Sequence, residues 1–183
     1  NFEEKEKVCF YYRLFSASKL ATEIFIKYGH KKIACIVNEN DISIVEGYKN
    51  IMQEADNELD PLWIYLGKNI EDIEQYGIQQ CISKGVTAII CGSKEIALCI
   101  YKFAKKIGIN IPDNLSILVI GDDVILKLLD DGVSAIELPI LDICASTVNT
   151  LIDLIEKKEE KELKKEFYPK FINRNSIKKP SQN

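Results

Sequence analysis

Four groups of residues in this sequence could do chemistry. Asp122 and Asp123 close an apolar run, and paired carboxylates at a strand end could hold Mg²⁺, accept a phosphoryl group or bond a ligand. The single histidine, His30, titrates near neutrality and invites a proton-transfer or metal role. Arg13 stands between Tyr12 and Phe15, so a cation is flanked by two aromatic faces on which a sugar ring could stack. Ser93-Lys94 sets a hydroxyl beside a second cation just after another apolar run.

Each group also has a plainer reading. His30 has no second histidine and no cysteine or acid at ligand spacing, which favours a structural turn residue and no metal. Asp122-Asp123 reads first as a loop and helix cap, Trp63 as core or edge packing, and Tyr12 and Phe15 as packing. There is no G-x-G-x-x-G and no G-x-x-x-x-G-K-[ST]; Gly67-Lys68 runs into Asn69 without the preceding glycine. No Ser, Cys or His constellation suggests a nucleophile, so no enzyme, catalytic residue or cofactor is expected.

The chain has 183 residues, 46% of them hydrophobic, enough for one well-buried core. Its net charge of -4 argues against gripping a phosphate backbone, so any DNA-binding domain is expected to be absent from this chain. Six cysteines sit singly within apolar runs and read as small core residues in a reducing, cytoplasmic setting. No apolar stretch approaches the roughly 18 residues that span a bilayer, and the charged Asn1 to Lys7 is no signal peptide. No membrane partner is expected.

The elements that would position these residues alternate. Val8 to Tyr12, Lys32 to Val37, Leu62 to Tyr65, Val86 to Cys91 and Ser116 to Ile120 read as strands apolar enough to be covered on both faces. Between them, Leu20, Ala21, Ile24, Phe25 and Tyr28 form a helical stripe that Gly29 closes. Ser43 to Glu46 predicts a capping box, a third helix runs from Asn69 to Gly85, and a fourth from Lys94 is closed by Gly108. This order predicts an α/β fold with a doubly wound, mostly parallel sheet and ligands beyond the carboxyl ends of its strands, near Tyr12, Val37, Cys91 and Ile120. Beyond Gly121 come a short strand at Ser134 to Glu137 and a helix from Ile140 to Lys157. That helix has an expected buried stripe of Leu141, Cys144, Ala145, Val148, Ile152 and Ile155. Lys157 to Glu166 reads as a solvated helix end or linker, and Glu166 to Ile172 as an edge strand because it contains Pro169.

Five segments, in order, resemble the lactose and galactose repressor family of transcription regulators. They are Leu20 to Ala34 with its Tyr28-Gly29-His30-Lys31 turn; Glu46-Gly47-Tyr48; Thr87 to Cys91 with Ala97; Gly108 to Ser116 in a Gly-x-x-x-Pro-x-x-x-Ser pattern; and Val119-Ile120-Gly121-Asp122. The resemblance covers roughly residues 8 to 175. It implies a type I periplasmic-binding-protein-like fold, two α/β subdomains holding an effector in the cleft between them. This chain would be mainly the second subdomain, about 13–122 and 165–175, while 8–12 and 134–157 belong to the first. It also implies a homodimer through sheet-flanking helices and a repressor whose DNA-binding heads respond to effector.

The family's usual sugar contacts do not carry over. Arg13 stands where an acid is often found, Ile44 where an arginine precedes the Gly-Tyr pair, and Ser93-Lys94 where an Asn-Asp pair stands. The Asp of the last loop falls on Gly121 or Asp122. Candidate effector contacts are Tyr12, Arg13, Phe15, Ser93, Lys94 and Asp122. Three readings follow: a cleft made cationic by Arg13 and Lys94 for a sugar phosphate or other anion; a vestigial pocket in a dimerisation-only domain; or an atypical neutral ligand. An exported solute receptor shares the fold and is the alternative, against which the unpaired cysteines speak.

Overall fold

Runs of Ile, Val, Ala and Cys become strands because β-branched and small side chains tolerate a pleated surface packed on both faces. In a computed structural model describing residues 8–156 and 163–180, β2 (Ile33–Asn38), β4 (Ala88–Cys91) and β5 (Ser116–Ile120) are buried along almost their whole length. With β3 (Ile64–Gly67), β6 (Ser134–Glu137) and β8 (Lys170–Ile172) they make a six-stranded sheet in the order β3-β2-β4-β5-β6-β8. Only β8, at one edge, runs antiparallel. The doubly wound, mostly parallel sheet expected from the sequence is therefore present.

Helices α1 (Leu14–Lys27) and α2 (Ile42–Glu54) pack on each other, and α5 (Lys94–Ile107) packs with the segment Ile70–Ser83. α5 has both expected ends: Ser93 Oγ accepts from the Ile96 amide, and Gly108 closes it with φ +74. α2 departs from expectation. It begins at Ile42 after Asp41, so Ser43 already lies within the first turn and the Ser43 to Glu46 capping box is not its start. The third helix is also interrupted, into α3 (Ile70–Asp72), a π turn (Ile73–Gly77) and α4 (Ile78–Ser83). Trp63, 2% exposed, ends a 3₁₀ turn and packs in the core.

The carboxyl-terminal third differs most from the sequence reading. The strand Ser134–Glu137, assigned with 134–157 to a first subdomain, lies inside the six-stranded sheet, because its buried residues bond β5 on one side and β8 on the other. The end of the run Lys157 to Glu166, read as a solvated helix end or linker, instead forms β7 (Leu163–Glu166), because it pairs in parallel with β1 (Val8–Tyr11), and of the strand expected over Glu166 to Ile172 the part beyond Pro169 forms β8. α7 (Ile140–Ile155) forms as expected, but its apolar stripe is not buried: Leu141 is 83% exposed and Ile155 71%. Among the described residues α7 lies against β1, too narrow a surface to cover the stripe. Cys144 is accordingly exposed, whereas Cys35, Cys81 and Cys91 are core residues as read. Residues 1–7, the charged start, and 157–162, the first part of the charged run, lie outside the described residues.

After β8 the chain forms a strap across the sheet, held by side-chain hydrogen bonds. The fully buried Ser176 hydroxyl donates to the Ile117 carbonyl (2.6 Å) and accepts from the Ser134 amide (2.8 Å). Farther on, Ser116 Oγ bonds the backbone of Lys178 in both directions.

Gly47 explains one of the resembling motifs physically. A Cβ there would meet the Phe15 carbonyl oxygen at 2.4 Å and Ser18 Cβ at 3.0 Å, so the α1–α2 approach requires the missing side chain. Next to it, the buried Tyr48 hydroxyl donates to the Ile33 carbonyl (2.7 Å). Alanine favours helix over glycine by about 1 kcal/mol, yet Gly47→Ala is expected to lose about 1–3 kcal/mol through overpacking. A urea melt reads this directly; an unchanged or raised midpoint would show that the helices can separate cheaply.

Candidate functional site

The carboxyl ends of the parallel strands open onto two hollows. One, of about 430 Å³, is lined by Tyr12, Arg13, Leu14, Phe15 and Ser43, at the exits of β1 and β2. The other, of about 400 Å³, lies beyond β5 and β6 and is walled by residues that include Asp122, Lys127, Glu137, Pro139, Tyr168 and Lys170. The second hollow sits where the chain crosses between the large sheet and the β1–β7 pair, since Leu138-Pro139 and Phe167 to Pro169 are those crossings. The Phe167 amide donates to the Tyr11 carbonyl (2.8 Å), tying one crossing to the end of β1.

At the end of β5, Gly121 takes φ +94 and turns the backbone so that two acids follow with opposite duties. Asp123 caps the short helix α6 (Val124–Leu128), accepting from the Ile125 amide (3.0 Å), and pairs with Lys94 Nζ at 2.5 Å. Asp122 turns away from it: Oδ2 accepts from Arg174 Nη2 (2.8 Å) and Oδ1 from the Asp123 amide (3.0 Å). Both partners of the Asp122–Arg174 pair are 13% exposed. The hydrogen bond from Arg174 holds the Asp122 carboxyl below its ordinary value, against the opposing effect of burial. Two acids engaged in this way are not arranged as a joint metal clamp.

The structure thus gathers Tyr12, Arg13 and Phe15 around one hollow and places Asp122 in the wall of the other, while Ser93 and Lys94 line neither. Ser93 is spent as a helix cap and Lys94 on Asp123. Arg13 faces Glu166 at 3.3 Å across the β1–β7 pair and stacks over the Tyr11 ring. Neither expected cation stands without a counter-ion.

His30 lies at the opposite, amino-terminal end of the sheet, 2% exposed. Its Nε2 donates to the Lys178 carbonyl (2.9 Å), which leaves Nδ1 to accept from the Thr87 hydroxyl (2.9 Å). Burial lowers its pKa, so the ring is a neutral structural tie, as the plainer reading had it.

Sequence reasoning missed Arg174, Ser43, Lys127, Glu137, Tyr168 and Lys170. A signal for Arg174 was available: the chain has 24 basic residues, of which only Arg13 and Arg174 are arginines, and both stand beside the hollows.

The sequence profile of the periplasmic-binding-protein-like domain matches residues 22–177. The chain belongs to that family. It is 31% identical over 147 residues to the ribose operon repressor of Haemophilus influenzae, covering 77% of this chain and 44% of the repressor. It thus spans about half the length of the curated relatives it matches. The Escherichia coli transcriptional repressor ascG superposes with a TM-score of 0.87 at 19% identity, covering 96% of this chain and 66% of that one. A sugar-binding regulator of the lactose repressor family from Escherichia coli, solved with phosphate, superposes at 0.82 with 20% identity, covering 93% and 63%. These relatives are transcription regulators with this family's effector-binding fold, and no helix among the described residues is long and apolar enough to cross a membrane.

The Asp122–Arg174 pair has a pH signature. A carboxyl depressed in the folded state adds stability above the ordinary value of 3.8 and loses it as pH falls through the lower folded value. Asp122→Asn, which strands a largely buried guanidinium, is expected to cost about 3 kcal/mol at neutral pH. Urea melts should show the gap to wild type narrowing below about pH 4. A gap constant from neutral to strongly acidic pH would show that the pair contributes no linkage.

Proposed function

We propose that this chain is the effector-sensing and dimerisation part of a cytoplasmic transcription regulator of the lactose and galactose repressor family, with no catalytic role. Its effector is a neutral, polyhydroxylated molecule of the sugar class. The observation that carries this is the charge pairing: Arg13 is matched by Glu166 and Lys94 by Asp123, so the two cations that would have drawn an anion are neutralised. What remains around the hollows is hydrogen-bonding and stacking capacity, namely Asp122, Glu137, Ser43 and the rings of Tyr12, Phe15 and Tyr168. Carboxylates accept from hydroxyls and aromatic faces cover a ring's apolar side, which is how a sugar exchanges water for protein partners. The relative named for a ribose operon supports a pentose, and the free thiols support a reducing compartment.

A phosphorylated sugar is the second reading, favoured by Lys127 in the wall of the second hollow. Binding of either ligand would close the cleft and alter the spacing of DNA-binding heads supplied by a domain outside this chain. The dimer would form through the outer side of α5 and α6, where Leu128 is 77% exposed and is followed by Leu129, which lines a hollow with Leu98, Tyr101 and Ile109.

Thermal melts in ribose and in ribose 5-phosphate separate the readings. A ligand at about 100 times its Kd stabilises by about 2.7 kcal/mol, a shift of several degrees. Ribose alone is expected to give that shift; ribose 5-phosphate alone would establish the anionic reading, and neither would favour a dimerisation-only domain. For the dimer, Leu128→Glu is expected to halve the mass seen by light scattering. A wild-type monomer at high concentration would remove the proposal.

A further inference from the structure

We propose that Arg174, on the strap that follows the last strand, is the positioning residue of the effector site: its guanidinium fixes the Asp122 carboxylate in the wall of the second hollow. This rests on the reading of that hollow as part of the effector site. The support begins with how Arg174 is mounted. Its backbone amide donates to Ser134 Oγ (2.9 Å), and two residues on the buried Ser176 locks the strap to β5 and β6. Gly132, with φ +91, leaves a groove for the arginine stem, since a Cβ there would lie 3.1 Å from Arg174 Cδ.

From this mount the guanidinium makes two directed bonds, Nη1 to the Val133 carbonyl (2.6 Å) and Nη2 to Asp122 Oδ2 (2.8 Å). The first fixes the plane of the fork and the second delivers it to the carboxylate. Asp122 is thereby held at both oxygens, by Arg174 on one and by the Asp123 amide on the other. A carboxylate offers about four lone-pair positions, so roughly two remain for hydroxyls of a ligand, in a fixed direction. Arg174 does not itself line the hollow and acts only through Asp122. A lysine would keep the charge but could not make both bonds in one plane.

The test compares Arg174→Met, Arg174→Lys, Asp122→Asn and the double variant Arg174→Met/Asp122→Asn, titrated with ribose by calorimetry. In parallel, the Asp122 carboxyl carbon is followed by NMR against pH without ligand. Arg174→Met is expected to weaken ribose binding about tenfold or more, with Arg174→Lys between it and wild type. The double variant should bind no more weakly than Asp122→Asn alone, because Arg174 works through that carboxylate. The Asp122 signal should titrate below 3.8 in wild type and higher in Arg174→Met. Loss of affinity in Asp122→Asn with wild-type affinity in Arg174→Met, or additive losses in the double variant, would overturn the positioning role while leaving the site intact. Wild-type affinity in both single variants would instead overturn the placement of the site. If wild-type protein gives no heat with ribose, the sugar reading fails and the NMR titration decides alone, identical curves in wild type and Arg174→Met counting against the inference.

Discussion

A parallel sheet buried on both faces leaves its irregular backbone at the two ends of the strands, and the rest of this structure depends on that constraint. β5 shows it most clearly: every residue from Ser116 to Ile120 is buried, so the polarity the chain must carry is forced to Thr87 and Ser116 at one end and to Gly121-Asp122-Asp123 at the other. The amino-terminal end is closed by ties among His30, Thr87 and Lys178, and the carboxyl-terminal end stays open as hollows. Structure and binding capacity are thus separated along the strand axis, one end sealed by hydrogen bonds and the other left concave.

Much of the charge at the open end is paired. Arg13 with Glu166, Lys94 with Asp123, Arg174 with Asp122 and Lys170 with Asp142 form four ion pairs near the crossings between the large sheet and the β1–β7 pair. They are not equivalent. Arg174–Asp122 is nearly enclosed and has two fixed bonds on the cation, whereas Lys170–Asp142 is exposed on both sides, is 3.6 Å long and contributes little. Pairing takes these four cations out of steering a ligand, so selectivity at their positions comes from directed hydrogen bonds.

The sheet and most helices were legible because their signals are local. A β-branched run, a helical stripe ended by Gly108 and a serine before α5 each report on their own segment, and the structure agrees with them. The failures are non-local. Ser134–Glu137 looks the same whether it joins one sheet or another, and only its partners β5 and β8 decide. The stripe on α7 states that something should cover it but not whether the described chain provides the cover. At the site, Asp122 was legible as a polar residue at a strand end, but its dependence on Arg174 spans 52 positions and leaves no trace in spacing. Arg13 and Lys94 were legible as cations and misleading as free ones, since neither Glu166 nor Asp123 declares itself a counter-ion in the sequence.

The strap also fixes an order of events in the making of the protein. β6 bonds β8 on one side, the Ser134 amide needs the Ser176 hydroxyl, and Asp122 needs Arg174. A chain emerging amino end first can assemble β2, β4 and β5 with their helices early, because all of these precede residue 121. The loop after β5 must then wait, made but not set, until more than fifty further residues have left the ribosome. During that interval the wall of the second hollow is unset, and Leu126, Val133, Ala135, Ile136 and Ile177 have still to join the core, so the last part of the packing and the recognition surface are completed by the same late segment.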